Sequence, residues 1–143
     1  MRVILFTLLL LLACDPEENK FIAGEIEVQN ESDVDIYPTI HKESFGGVIS
    51  NGRKTIGFGK YSLKEKTKIL WIEERLLENP KKELNFIAKV DKKKLNKVKK
   101  LVFVFTKKKT WKVEYYSVSK DFKATLLESQ DLKESPWQFY SLK

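Results

Sequence analysis

The sequence predicts an all-β fold, either an antiparallel β-sandwich or an open barrel, built from about eight short strands. Three observations predict it. Apolar and polar residues alternate with period two in several short runs. Clusters of turn-forming residues separate these runs at intervals of roughly 8–15 residues. No stretch between them has a helical periodicity long enough to form the crossover helices of an α/β protein.

The first part of the chain predicts two strands. In residues 24–30, Ile26 and Val28 alternate with polar residues, which is typical of a strand buried on one face. Residues 35–42 resume the alternation after a turn-forming cluster. Pro38 has no N–H to donate to a neighbouring strand, so it favours an edge strand or a β-bulge.

A tight turn is predicted at Asn51-Gly52. Both residue types accept a positive φ, and the pair stands between the apolar stretch 45–50 and the alternating stretch 53–58. An Asn-Gly pair in this setting is the strongest short-range signal for a β-hairpin. We therefore expect residues 45–50 and 53–58 to pair with each other.

The middle of the chain predicts a second pair of strands. Residues 67–73 and 84–90 are both rich in apolar residues, and the second stretch keeps a strict period of two. Residues 74–80, which end in a proline, have room for one helical turn before the chain reverses. We expect the two stretches to pair.

The last third predicts a hairpin and contains the two segments that could be helical. Residues 101–105 are continuously apolar, which at this length favours a strand covered on both faces. The lysine turn 107–109 and the alternating stretch 111–116 complete the hairpin. Residues 92–100 permit two helical turns. Residues 122–132 fit either a short helix near the C-terminus or a strand.

Length and composition fit one compact domain, because 143 residues with 42% apolar content can fill a single core. One cysteine excludes an internal disulfide framework, and one histidine excludes two-histidine zinc motifs. No phosphate-binding loop or dinucleotide fingerprint is present. The predicted core includes Ile69, Trp71, Phe86, Val102, Phe103, Val104, Phe105 and Val113.

Residues 1–13 have the layout of a secretory signal peptide. Arg2 supplies one positive charge, and an uninterrupted run of predominantly apolar residues follows at 3–13. As a helix this run would span about 16 Å, roughly half of a hydrocarbon core of about 30 Å. The segment is therefore too short for a transmembrane helix.

The end of this leader, Leu11-Leu12-Ala13-Cys14, resembles the lipobox of bacterial lipoproteins. The family pattern is Leu, a small or apolar residue, Ala or Gly, and then Cys, and all four positions match. The resemblance implies that Cys14 carries a diacylglyceryl thioether, that the chain is cut before it, and that its amino group is acylated. An ordinary signal-peptidase site would need a small residue where Leu11 stands.

The resulting organisation has four parts. They are a signal peptide at 1–13, a lipidated N-terminus and tether at 14–20, a β-sandwich domain at 21–118, and a tail at 119–143 that is packed on the domain or partly mobile. We expect the protein to be anchored by lipid in the bacterial cell envelope, outside the cytoplasm. Asp15 resembles the inner-membrane retention signal of enterobacterial lipoproteins.

A second resemblance concerns the folded domain. The predicted Asn-Gly hairpin, its return through residues 54–58, and the tryptophan-containing strand that follows are similar to small bacterial lipoproteins with immunoglobulin-like modules. This resemblance implies an immunoglobulin-like sandwich. It implies no particular function.

Positive charge is concentrated in residues 81–112, which hold thirteen lysines and two acidic residues, a formal charge of +11. Such a segment attracts anionic surfaces, for example lipid headgroups or acidic polymers. Lysines at strand ends are also common solvated residues that prevent edge-to-edge pairing, so both interpretations stay open. The candidate contacts to an anionic surface are Lys92, Lys93, Lys94, Lys97, Lys99, Lys100, Lys107, Lys108 and Lys109.

Catalytic residues are only weakly indicated. His41 lies near Ser44 with two aspartates upstream, but the serine lacks the Gly-x-Ser-x-Gly elbow of many hydrolases. Glu73 and Glu74 are adjacent in a predicted strand, so they point to opposite faces and cannot flank one glycosidic bond. We therefore expect no enzymatic activity.

A metal site is also weakly indicated. Asn30, Glu31, Asp33 and Asp35 offer oxygen ligands in one loop, but their order matches no twelve-residue calcium loop. We expect neither a metal nor a cofactor. Five aromatic residues are candidates for a sugar- or peptide-binding face: Trp71, Trp111, Tyr115, Tyr116 and Trp137. Trp71 and Trp111 lie in predicted strands and are more consistent with the core.

These observations predict a lipid-anchored cell-envelope lipoprotein that acts as a non-enzymatic binding or structural module. Its expected partner is an envelope protein or polymer, and not nucleic acid, because no nucleic-acid-binding motif is present. The alternative is an immunity or inhibitor lipoprotein directed against an envelope-acting toxin or hydrolase. An envelope-modifying enzyme is the third possibility.

The lipobox makes a direct prediction about processing. Replacing Cys14→Ser removes the thiol that accepts the diacylglyceryl group, so we expect an unprocessed precursor or a released soluble species. Intact-mass measurement of the wild-type protein should show a chain that begins at an acylated Cys14. A wild-type mass that corresponds to an unmodified Cys14 would contradict the prediction.

Overall fold

The computed structural model describes residues 21–63, 65–73 and 81–133, which form two β-sheets packed face to face. The elements are β1 Phe21–Asn30, β2 Ile36–Ile40, β3 Glu43–Ser44, β4 Arg53–Ser62, β5 Thr67–Glu73, β6 Lys82–Phe86, α1 Lys92–Leu95, β7 Lys100–Phe105, β8 Trp111–Val118 and β9 Ala124–Leu132. The first sheet has the order β4-β1-β7-β8-β9 and the second β3-β2-β5-β6. The predicted all-β sandwich is confirmed.

The core between the sheets is built around aromatic rings from both of them. Trp71 of the second sheet contacts Trp111 of the first, with ring centroids 5.7 Å apart and nearly perpendicular planes. Phe105 lies against both rings, and Phe86 meets Phe103 at 6.1 Å. Edge-to-face pairs of this kind add stability beyond the apolar area that they bury. The predicted core residues are all buried except Phe86, which is half-buried, and Val102 and Val104 are buried outside the cluster between the sheets.

Strand β7 is buried on both faces, as its continuous apolar run predicts. Leu101, Phe103 and Phe105 belong to the core between the sheets. Val102 and Val104 alternate with them and therefore lie on the outer face of the sheet, yet their exposed fractions are only 4% and 1%. Side chains of the neighbouring strands must cover these two valines.

The central pairing of the first sheet was not predicted. β7 runs parallel to β1, and Glu25 is opposite Lys100 while Asn30 is opposite Phe105. The other strand pairs of the described chain are antiparallel. Parallel neighbours require a long connection, and here β4 and the second sheet are formed between β1 and β7.

The predicted hairpin at Asn51-Gly52 is wrong, although the turn itself is present. Gly52 N–H donates to the carbonyl of Ile49 at 2.9 Å, and Asn51 has a φ of 55°. The preceding stretch bridges β2 through Val48, whereas β4 pairs with β1 in the other sheet. The turn therefore joins the two sheets. Glycine is needed at 52 because a Cβ there would lie 2.8 Å from the Ile49 carbonyl oxygen.

Pro38 lies neither in an edge strand nor at a bulge, so that expectation is wrong. β2 is flanked by β5 on one side and by the two-residue strand β3 on the other. The Pro38 carbonyl accepts a hydrogen bond from Phe45 N–H at 3.0 Å on the β3 side. The N–H and C=O of one strand residue point to the same neighbour. The nitrogen of Pro38 therefore also faces β3. Its missing N–H removes a hydrogen bond only on the side where the partner strand is two residues long.

Of the two segments with helical potential, the first is less helical than expected and the second takes the strand alternative. Within residues 92–100, only Lys92–Leu95 form a helical turn, α1. The helix cannot continue because the Lys99 N–H already donates to the Tyr116 carbonyl of β8 and the chain is extended from Lys100 onward. In residues 122–132, Ala124–Leu132 are the strand β9, which pairs with β8 along its length and carries the first sheet past residue 118. The turn predicted in 74–80 lies outside the described residues.

A matched pair of substitutions tests this assignment of core and surface. Phe103 is fully buried, whereas 90% of Phe122 is exposed in the turn between β8 and β9. Phe103→Ala is expected to lower the free energy of unfolding by about 3–5 kcal/mol because it leaves a cavity. Phe122→Ala is expected to change it by less than about 0.5 kcal/mol. Urea unfolding measures both, and equal effects would contradict the placement of the core.

Candidate binding site at the loop end of the sandwich

The parallel pairing of β1 and β7 gives the sandwich two distinct ends. The N-terminal end, as we name it, carries the start of β1, the β6–β7 connection with α1, and the β8–β9 turn. The loop end carries the β1–β2 loop at 31–35, the turn at 49–52 and the β7–β8 turn at 106–110. The position of a residue along its strand therefore decides which end of the sandwich it is closer to.

A groove of about 540 Å³ opens at the loop end. Its walls are polar or charged side chains from all three loops. They are Glu31, Ser32, Asp33, Asn51, Lys107, Lys108 and Lys109. A groove of this composition suits a charged or strongly hydrogen-bonding segment of a larger partner rather than an apolar ligand.

The loops around the groove are held by Asn30. Its buried side-chain amide donates to the carbonyls of Val34 at 2.7 Å and Val48 at 3.0 Å. Its oxygen accepts from both the N–H and the hydroxyl of Ser32, and its backbone N–H donates to the Gly52 carbonyl. One side chain thus fixes two loops, which limits the entropy that the groove would lose on binding.

The β7–β8 turn is equally well defined. Thr106 N–H donates to the Thr110 carbonyl, Lys109 N–H donates to the Thr106 carbonyl, and the two threonine hydroxyls are 2.8 Å apart. Lys109 forms an ion pair with Glu73 at 3.2 Å. Lys107 and Lys108 are exposed and form no ion pair within the described residues. Together with the exposed Asp33, they are the charges at the groove that are free to meet a partner.

Burial raises the pKa of the Glu73 carboxyl, but hydrogen bonds from Lys82 and Lys109 outweigh that effect and hold the pKa below its usual 4.5. Glu73 is therefore ionised at neutral pH and keeps Lys109 against the body of the protein. This pair stabilises the wall of the groove, and its charges compensate each other.

The structure divides the nine candidate lysines among three places. Lys92, Lys93, Lys94, Lys97 and Lys99 lie at the N-terminal end, and Lys107, Lys108 and Lys109 lie at the loop end. Lys100 lies on the outer face of the first sheet, where its ammonium contacts Glu25 at 2.8 Å and Glu27 at 2.7 Å. The lysine-rich segment thus does not form one continuous face.

The outer face of the first sheet carries a network of compensated charges. Lys100 is shared by Glu25 and Glu27, and Lys112 pairs with Glu114 at 2.7 Å. The Tyr116 hydroxyl also donates to Glu114 at 2.6 Å. The aliphatic stems of such residues shield apolar surface beneath them, which accounts for the burial of Val102 and Val104. This face stabilises the sheet and has little net charge.

The residues considered for catalysis or metal binding have other roles. His41 lies in the β2–β3 turn and Asp33 beyond the other end of β2, so the structure does not bring them together. Asp35 accepts a hydrogen bond from Ser50 N–H at 2.7 Å, and Asn30 is used to hold the loops. Within the described residues no group of three or more potential ligands could hold a metal ion. Cys14, Glu74 and Trp137 lie outside them.

Two charged segments that the sequence presents separately meet in the groove. Glu31 and Asp33 were considered as calcium ligands, and Lys107, Lys108 and Lys109 as contacts to an anionic surface. They meet because the parallel register puts Asn30 opposite Phe105, so the loops that follow both strands leave the sheet side by side. The hydrogen-bonding role of Asn30 and Ser32 was missed, since a turn cluster gives no sign of its tertiary partners.

Comparison with known proteins adds no assignment. The chain matches no protein-family model, and no curated protein is similar enough to count as a match. Among the described residues, no helix is both long and apolar enough to cross a lipid bilayer.

The network on the outer face predicts a loss of stability in alkali. Burial, followed by the hydrogen bond to Glu114, raises the pKa of Tyr116 from 10.0 to about 12. The unfolded chain therefore loses this proton first, so the stabilisation is complete below about pH 10 and is lost as the pH rises towards 12. Lys112 and Lys100 have raised pKa values and act in the same direction.

Tyr116→Phe removes this titration. The variant is expected to lose about 1 kcal/mol of unfolding free energy at neutral pH, because a hydrogen bond is missing. Between pH 10 and pH 12 its stability should fall less steeply than that of the wild type. Urea unfolding across this range measures both slopes. Parallel curves for the two proteins would show that Tyr116 does not contribute.

Proposed function

We propose that this protein is a lipid-anchored cell-envelope lipoprotein whose sandwich is a non-enzymatic binding module. The lipobox ending at Cys14 supplies the anchor, and residues 14–20 connect it to β1. The partner is an envelope protein or polymer that binds at the groove of the loop end. The observation that carries the proposal is the position of this groove, at the end of the sandwich opposite the start of β1.

This arrangement suits a module attached through its N-terminus. A chain held at Cys14 keeps the start of β1 near the membrane and directs the loop end away from it. The loops there are fixed by internal hydrogen bonds, and exposed Asp33, Lys107 and Lys108 stand at the groove. A groove with charges of both signs favours a partner that presents complementary charges of both signs. Such charges fix the orientation of the partner and also contribute to its affinity.

Differential capture from solubilised membranes tests the proposal. The lipidated, tagged full-length protein is compared with a double variant, Lys107→Gln with Lys108→Gln, at equal amounts on the resin. Each exposed charge contact contributes up to about 1 kcal/mol, so the double variant is expected to bind a specific partner about tenfold more weakly.

The control is a matched double variant at the other end of the sandwich, Lys92→Gln with Lys93→Gln. It makes the same change in net charge and should retain the partner. Loss of the partner from both variants to the same extent would indicate nonspecific charge attraction. Retention of the partner by both would place its binding site elsewhere. Either result would contradict the proposed role of the groove.

A further inference from the structure

One turn at the N-terminal end exposes an aromatic side chain in a strained backbone conformation. Phe122 is 90% exposed and has a φ of 59°. Glycine or asparagine adopts this left-handed region at much lower cost than a phenylalanine. The turn is closed by bonds from Phe122 N–H to the Ser119 carbonyl and from Ser119 N–H to the Lys123 carbonyl. The ring is therefore held outward by a defined turn.

The surroundings of this ring are basic. The segments 91–99 and 119–123 together hold seven lysines and two aspartates, a formal charge of +5. Lys94 pairs with Glu128. The other six lysines form no ion pair within the described part of the chain: Lys92, Lys93, Lys97, Lys99, Lys120 and Lys123. These charges are available to an external anion, in contrast to the compensated charges of the outer face.

The β6–β7 connection, which carries the lysines of the segment 91–99, is fixed to the body of the sandwich. Val98 is buried in the core, and Leu95 packs against the core at the end of α1. The Gln130 side chain accepts from Lys89 N–H and donates to the Ile87 carbonyl, while Glu128 accepts from Asp91 N–H. Strand β9 thus holds the β6–β7 connection in place. The lysines are presented by an ordered support.

The start of β1 lies at this same end. Phe21 stands four residues before Glu25, which is opposite Lys100. The seven residues 14–20 span at most about 25 Å when fully extended. An anchor on Cys14 therefore keeps the six unpaired lysines and Phe122 within reach of the membrane surface.

We infer that the N-terminal end of the sandwich docks on an anionic phospholipid surface, with the Phe122 ring inserted among the headgroups and the unpaired lysines in contact with lipid phosphates. The inference rests on the proposed function, because the lipid anchor supplies the proximity. An apolar ring surrounded by cationic side chains is typical of an interfacial contact. Docking fixes the orientation of the module and holds the groove away from the bilayer.

The size of the effect follows from the lysines. A lysine close to an anionic leaflet changes the equilibrium between docked and undocked states about fivefold. Removing two of them is therefore expected to lower that equilibrium about thirtyfold. Salt should weaken docking as well, because exposed charges are screened beyond about 10 Å at 0.1 M ionic strength and beyond about 3 Å at 1 M.

The test uses the mature lipidated chain in vesicles. Cys14 is the only cysteine of the sequence, so after lipidation a new cysteine is the only free thiol. A fluorophore is attached at Asp121→Cys, beside Phe122, or at Lys108→Cys, at the loop end. Lipids that carry a quencher near the headgroups then report contact in phosphatidylcholine vesicles, with or without phosphatidylglycerol as about one third of the lipid.

We expect strong quenching at position 121 in anionic vesicles and little at position 108. Lys92→Gln with Lys93→Gln should lower the quenching at 121, and so should Phe122→Ala, whereas Lys107→Gln with Lys108→Gln should leave it unchanged. If the lysine variant loses its fold, the Phe122 variant still decides. Equal, weak quenching at both positions, or quenching that none of these variants lowers, would overturn the inference.

Flotation separates this outcome from a failure of the proposed function. A protein that floats with neutral and anionic vesicles but shows no contact at position 121 has the lipid anchor and does not dock. A protein that floats only with anionic vesicles lacks the anchor, and its contact at position 121 still supports docking. A protein that floats with neither contradicts both the anchor and the inference.

Discussion

The position of β7 in the middle of the first sheet constrains the rest of this structure. Residues 101–105 of this strand are continuously apolar, so both of its faces must be covered. A central place between β1 and β8 satisfies its backbone hydrogen bonds on both sides. The second sheet covers one face, and the stems of charged residues cover the other. Because β1 is its parallel neighbour, the start of β1 and the lysines that precede β7 are brought to the same end.

The surroundings of each lysine in the fold, and not its place in the sequence alone, therefore decide whether its charge is neutralised by a carboxylate. Lys100 and Lys112 lie on the outer face of the sheet, where Glu27 and Glu114 neutralise them above buried valines. Lys92 and Lys93, a few residues before Lys100, lie in a connection where their ammonium groups form no ion pair within the described residues. Charges of the first kind stabilise the fold, and charges of the second kind remain available for binding.

The two ends of the sandwich have different physical characters. The loop end combines charges of both signs around a groove, and its loops are tied together by the buried side chain of Asn30. The N-terminal end has a net positive charge and an exposed aromatic ring on a strained turn. The proposed functions use this polarity, with a partner at the first end and a lipid surface at the second. The strands of the first sheet run from the N-terminal end to the loop end. A fixed orientation of the N-terminal end at a membrane therefore also fixes the direction in which the loop end points.

The sequence by itself determined the fold class, most strands and the centre of the core. Period-two alternation and the apolar run at Phe103 report local burial directly, because a strand exposes its two faces to different surroundings. The sequence also predicted the pairing of β5 with β6 and of β7 with β8, whereas only the tertiary structure decided the other strand pairs. Asn51-Gly52 forms a turn as predicted, but the strands on either side join different sheets. The groove likewise depends on the parallel register of β1 and β7, which brings Asp33 and Lys107 together. Local patterns specify which face of a strand is buried, whereas the choice of neighbour depends on contacts between residues far apart in the chain.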